Sequence, residues 1–205
     1  MNATAKKILD VSLELFSKRG FDAVTVEDIA KVVGIKAPSL YNHFPSKKAI
    51  FVSLVESVFD EYEKGSNDIS LHTLAYEKDS HIFIGISADN LVSKVKQMFL
   101  YSIHNEKVSQ MRKLLTIEQF RNAELAELYT TRYIDRLVEY HKGVFNALAE
   151  AKIINNYDVD FLAYAYVCPI NTLIGICDRQ PDKEEECLQK LDKFVRTFFN
   201  AVNVK

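Results

Sequence analysis

Tryptophan is absent, and only 6 glycines, 4 prolines and 3 cysteines occur in 205 residues. So few turn-forming residues leave little room for a fold of many short strands, and the composition points to an all-α chain. The cysteines, Cys168, Cys177 and Cys187, are odd in number and lack CxxC spacing. That argues against a disulfide framework or a zinc site, and for a reducing cytoplasm. The longest nearly apolar stretch, residues 161–170, falls short of the ~18 residues of a membrane span. Asp10, Ser12 and Glu14 interrupt the segment behind Lys6 and Lys7, so no secretory leader is expected. GxSxG, Walker and GxGxxG patterns are missing, and His104 and His141 have no metal-ligand spacing around them. The expectation is a protein that is not an enzyme and holds no metal and no cofactor.

What is present is a soluble globular composition, 48% hydrophobic and 26% charged. The net charge of −2 conceals an asymmetry: residues 1–50 carry +3 and the remainder −5. A basic head on an acidic body suggests a polyanionic partner for one end only, although chance sorting of surface charge would give the same numbers.

Ile8, Leu9, Leu13 and Phe16 recur at helical spacing, and Lys18-Arg19-Gly20 supplies cations and then a residue free to take positive φ, a helix C-terminus. Thr25-Val26-Glu27-Asp28 reads as an N-cap followed by acids facing the helix dipole, with Gly34 as the stop. Pro38 is tolerated only in a first turn and so places a third short helix near Lys36 or Ala37, ended by Pro45. Ser46 caps a fourth helix from Lys47 to about Lys64, followed by a loop at Gly65-Ser66-Asn67-Asp68. Residues 65–86 are otherwise poorly legible. Helical periods return from Ser87, then around 107–120, 123–151, 158–179 and 182–203, with breaks at 153–157 and 179–181.

Two short helices joined at Gly34 form a helix-turn-helix, whose second helix enters the DNA major groove. Ala37 and Ser39 are small enough for close approach to base edges. Tyr41, Asn42 and His43 have polar reach, and Lys36, Lys47 and Lys48 suit phosphates. The strings Leu15-Phe16-Ser17-Lys18-Arg19-Gly20-Phe21, Thr25-Val26-Glu27-Asp28-Ile29-Ala30, Gly34-Ile35, Leu40-Tyr41-Asn42-His43-Phe44 and Ser46-Lys47 resemble the tetracycline-repressor (TetR) family of bacterial transcriptional regulators. The resemblance is dense over residues 5–55; Ser12 departs from it, standing where the family places a small apolar residue. It implies that Thr25, Lys36, Ala37, Ser39, Tyr41, Asn42, His43 and Lys47 line double-stranded DNA, with Tyr41 and Lys47 on phosphates. It also implies a homodimer on a near-palindromic operator. Leu40 and Phe44 are assigned to the core.

The expected architecture is therefore all-α: a three-helix DNA-binding domain (1–46), joined by a fourth helix to a helical ligand-binding and dimerisation domain (47–205). In the body, Met98, Tyr101, Phe120, Tyr133, Tyr140, Tyr164, Cys168 and Asn171 are candidates for a largely apolar pocket with a few hydrogen-bonding points, suited to a small-molecule effector. Arg112, Arg121, Arg132 and Arg136, with Glu118 and Glu139 among their helical neighbours, read as a solvated face. Phe161, Ala165, Leu173, Leu191, Phe194 and Phe198 lie on two apolar stripes that suit a four-helix dimer interface. The reading is a ligand-responsive repressor in the cytoplasm, with no membrane partner. The rival is an all-α small-molecule-binding protein or enzyme whose N-terminal helices are only structural. A non-specific nucleoid binder is disfavoured by the acidic body.

Overall fold

Local signals, two side-chain caps and a first-turn proline, set the first three helices. The structure, a computed structural model, describes residues 1–68, 76–155 and 158–202. Asn2 accepts from the Ala5 amide at 2.9 Å and opens α1 (Ala3–Arg19). Gly20 closes it at φ +84°, after the two cations the sequence places in the last turn. Thr25 and Asp28 form a reciprocal capping box at the start of α2 (Val26–Val33), and Gly34 ends it in the left-handed region. The Lys7 ammonium donates to the Val33 carbonyl at 2.9 Å, a cation from α1 on the negative end of α2. Pro38 sits in the first turn of α3 (Ala37–Tyr41). Ser12 is buried, and its hydroxyl donates to the Ile8 carbonyl at 2.7 Å, so the departure from an apolar residue leaves no unpaired group.

The remaining helices are α4 (Lys47–Asp68), α5 (Tyr76–Phe83), α6 (Ala88–His104), α7 (Glu106–Glu118), α8 (Ala123–Tyr129), α9 (Arg136–Glu150), α10 (Val159–Arg179) and α11 (Glu184–Val202). A π-helical segment, Thr130–Asp135, joins α8 to α9 without a break. Among the described residues there is no β-sheet, so the all-α expectation holds. Of the stretch that the sequence leaves unread, 69–75 lies outside the described residues, as do 156–157 of the expected break and 203 at the end of the last helix.

The loop expected at residues 65–68 is instead the last turn of α4. Gly65 is there because nothing larger fits: a Cβ would lie 2.1 Å from the Tyr101 ring. Gly65→Ala would gain up to ~1 kcal/mol in helix propensity. Overpacking against Tyr101 opposes that with about 1–3 kcal/mol. The expected net result is a lower thermal midpoint; an unchanged or raised midpoint would show that Tyr101 swings aside at no cost.

Packing groups the chain into two units, Met1–Tyr62 with Glu106–Glu127, and Glu63–Asn105 with Leu128–Lys205. The cut expected at residue 46 falls inside the first unit. The reason is tertiary. Phe51 of α4 lies against Phe16 of α1 with ring centroids 5.9 Å apart, and α7 returns from far along the chain to lie on α1. Lys107 of α7 reaches Asp10 of α1 at 2.6 Å. The first unit buries Ile8, Leu13, Phe16, Ile29, Leu40, Ile50, Phe51, Met111 and Leu115.

In the second unit α10 packs on α9, α11 and α6, and α5 packs on α9. Two apolar clusters fill it. One is ring-rich: Tyr166 meets Phe145 edge-on at 6.0 Å and Phe198 at 5.1 Å, and Phe194 lies 5.9 Å from Phe198. The other joins Val92, Phe99, Leu173, Cys177, Cys187, Leu191 and Val195. Burial pushes the Cys177 thiol up to about 12, as expected of an inert thiol.

Candidate nucleic-acid interface

The short α3 turns one side inward and the other outward. Leu40 and Phe44 are buried, as assigned, and anchor it. Ser39, Tyr41 and Asn42 are exposed, and Ala37 and His43 are partly so. Lys36, the N-cap residue, is exposed and makes no side-chain capping bond. This gives one continuous outward strip of small, polar and cationic groups on a helix held by α2 from behind. Its residue types match what base edges and phosphates require.

Thr25 is exposed at the start of α2 with its hydroxyl already engaged. It accepts from the Asp28 amide at 3.1 Å, and the Thr25 amide donates to the Asp28 carboxylate at 3.0 Å. That backbone hydrogen bond, followed by the one from the Thr25 side chain, holds the Asp28 carboxyl below its ordinary value. Arg19 adds an ion pair to Asp28 at 3.1 Å.

Lys47, which the resemblance places on a phosphate, is engaged within the protein. Its ammonium donates to the carbonyls of Phe21 at 2.9 Å and Val24 at 3.0 Å, and stands 4.5 Å over the centre of the Phe21 ring. These contacts, with a further one to the Asp22 carbonyl at 3.4 Å, brace the turn between α1 and α2. Lys48, beside it, pairs with Glu124 at 2.7 Å.

The eight pocket candidates have different surroundings among the described residues. Phe120 lies in the first unit at the end of α7 and is 87% exposed. Met98 is buried. Tyr101 packs on Gly65 and accepts from the Asn105 amide at 3.1 Å. Tyr133 stacks on Tyr129 at 5.6 Å. The buried Tyr140 hydroxyl donates to the buried Asp79 carboxylate. Tyr164 and Cys168 are exposed on α10, and Asn171 is half-buried. An open groove of about 400 Å³ does occur, bordered by Ile82, Ile84, Ile86 and Lys94, and none of the eight lines it.

The interface candidates also divide. Leu173 and Leu191 are spent on the monomer's own core, and Phe194 and Phe198 are half-buried in its ring cluster. Ala165 is partly exposed, and Phe161 is 65% exposed. Helix periodicity marks both stripes as apolar, but it does not say which side a second copy covers.

Two groups escaped the sequence reading. Arg112 and Glu118, assigned there to a solvated face, are buried, Glu118 to 2% exposure. Asp79 is buried as well. Glu118 faces Phe21 and Asp79 faces Tyr140, each from a distant segment, and no local pattern announces that.

The family model for bacterial regulatory proteins of the tetR family matches residues 8–54. The biofilm operon icaADBC HTH-type negative transcriptional regulator IcaR of Staphylococcus aureus is 52% identical over 54 residues, 26% of this chain and 29% of that protein. The matched segment thus spans under a third of the first relatives' length. IcaR of Staphylococcus epidermidis is 29% identical over 153 residues, 73% of this chain and 75% of that protein. The SmeT–triclosan complex shares the fold, with a TM-score of 0.71 at 16% identity over 100% of this chain and 93% of that one. Motif, relatives and fold agree: residues 8–54 match the tetR family of bacterial regulatory proteins, and the chain as a whole shares the fold of the SmeT–triclosan complex.

Proposed function

We propose that the protein is a dimeric transcriptional repressor of the cytoplasm that holds a near-palindromic DNA operator through α3 and releases it when a small, mainly apolar molecule binds. The observation that carries the DNA half is the exposed Ser39, Tyr41 and Asn42 strip on a helix anchored by buried Leu40 and Phe44. The basic head and the likeness to a negative transcriptional regulator support it. Two copies present two such helices, which suit half-sites one DNA turn apart, ~34–36 Å. Release requires an effector that binds the DNA-incompetent state better, since equal affinity for both states shifts nothing.

The roles within the strip follow from chemistry. Tyr41 and Lys36 hold phosphates, which fix register without reading sequence. Ser39 and Asn42 face base edges, which discriminate. Titrating variants against the duplex that wild-type protein enriches from a random pool, and against its scrambled form, tests this. Tyr41→Ala and Lys36→Ala should weaken binding to both duplexes and lower the salt dependence by roughly one ion for each phosphate no longer held. Ser39→Ala and Asn42→Ala should narrow the gap between the two duplexes, by about 1–3 kcal/mol for each base edge no longer read. Failure of wild-type protein to prefer any duplex would favour the structural-head alternative.

A further inference from the structure

The turn that leads into α2 is held from outside the three-helix head. Phe21 follows Gly20, where α1 has ended, so its amide has no helical acceptor. Its acceptor is the carboxylate of Glu118, at 3.3 Å, from the last residue of α7 and 97 positions away in sequence. The Phe21 carbonyl is held by Lys47 at the start of α4. The Phe21 ring lies against Phe16 at 5.2 Å and Phe51 at 5.0 Å. Side chains from three helices thus fix both backbone groups and the ring of one residue. Four residues later Thr25 caps α2, which backs α3.

Gly20 belongs to the same arrangement. Its φ of +84° already disfavours a side chain, and a Cβ there would lie 2.9 Å from the Glu118 carboxylate oxygen. The turn is therefore shaped to admit that oxygen. Glu118 is nearly sealed from water, so no solvent molecule takes over its hydrogen bond at little cost if the side chain is removed. The segment that carries Glu118 is also distinctive in the chain path. The backbone leaves the second unit at Asn105, runs through α7, and re-enters that unit at Leu128.

We propose that Glu118 is a positioning residue for DNA reading: by holding the Phe21 amide it fixes the α1–α2 turn, and with it the placement of α2 and α3. This inference rests on the DNA-reading proposal above. The head is then not self-sufficient, and α7 is part of the DNA-reading unit. A shift of α7 then reaches the α1–α2 turn through this hydrogen bond as well as through the packing of α7 on α1.

The test uses the full chain and the duplex that wild-type protein enriches from a random-sequence pool. Glu118→Gln keeps an acceptor oxygen, and Glu118→Leu keeps the bulk without one. The Leu variant should lose ten- to a hundredfold in operator affinity and show faster amide hydrogen exchange over residues 17–25 in the absence of DNA. The Gln variant should stay within about threefold of wild type in both readings. Wild-type affinity in a folded Leu variant would overturn the proposal. So would a Gln variant as weak as the Leu variant, because charge or packing would then be at work. If the Leu variant does not fold, wild-type exchange decides: an unprotected Phe21 amide overturns the proposal, and a protected one that Gln preserves supports it. A wild type that enriches no duplex would overturn the DNA reading itself and this inference with it, whereas wild-type binding beside an unaltered Leu variant would overturn this inference alone.

Discussion

Replacing Phe161 and Tyr164 together by glutamate is expected to leave the monomer folded and to abolish both dimerisation and operator binding. These residues are 65% and 49% exposed. With Cys168 and Thr172 they form one outward row on α10, at the spacing of successive turns. The helix is long and apolar enough to cross a bilayer, yet only 28% of its most apolar stretch is buried within the monomer. In the dimer proposed above, a second copy would cover such a surface. A two-fold interface uses the same patch on both subunits, so each glutamate would enter the seam twice. A charge buried there without a partner costs several kcal/mol. Losing one reading head would remove the gain from tethering two binding modules, roughly 10²–10⁴-fold in affinity. Sedimentation velocity at micromolar concentration, beside operator titration, reads both effects. A variant that remains dimeric would place the interface elsewhere. Phe194 and Phe198 are poorer probes, because charges there would strike the ring cluster around Tyr166 first.

The second large effect concerns acid. The His141 ring lies against Tyr140 at 5.1 Å, Tyr166 at 5.0 Å and Phe145 at 6.5 Å, and its Nδ1 faces the Leu137 carbonyl at 2.8 Å. Burial pushes its pKa down from 6.5 to about 4, more than that one carbonyl restores. The sign follows. In the unfolded chain the imidazole takes up a proton near pH 6.5, and in the folded chain only near 4. Stability is therefore full above about pH 6.5 and is lost as pH falls towards 4. The loss approaches about 3 kcal/mol when the pKa difference is converted at 1.36 kcal/mol per unit. Urea unfolding of wild type at pH 7 and pH 4.5 should show most of this decline, and His141→Phe should flatten it. Equal pH slopes in the two proteins would mean that the ring is hydrated and titrates normally. Carboxyls that hydrogen bonds hold low, such as Asp28 and Asp192, act in a lower window.

The sequence by itself determined the first three helices of this protein and the outward strip of α3. Its determinants there are local. Thr25 and Asp28 meet across three residues, Gly20 and Gly34 take conformations other residues resist, and Pro38 is confined to a first turn. Dense spacing over residues 5–55 made the family legible for the same reason. The tertiary structure decided what those elements are held by. Glu118 reads as one more charge on a helical face until α7 lies on α1 and buries it under Phe21. Asp79 and Tyr140 are 61 positions apart, and only the packing of α5 on α9 gives each its partner. Leu191 and Phe161 are equally apolar in sequence, yet one closes the monomer's core and the other faces outward. Periodicity records that a residue is apolar and on which face. Which body covers that face depends on contacts between distant segments, whose formation is a property of the whole fold.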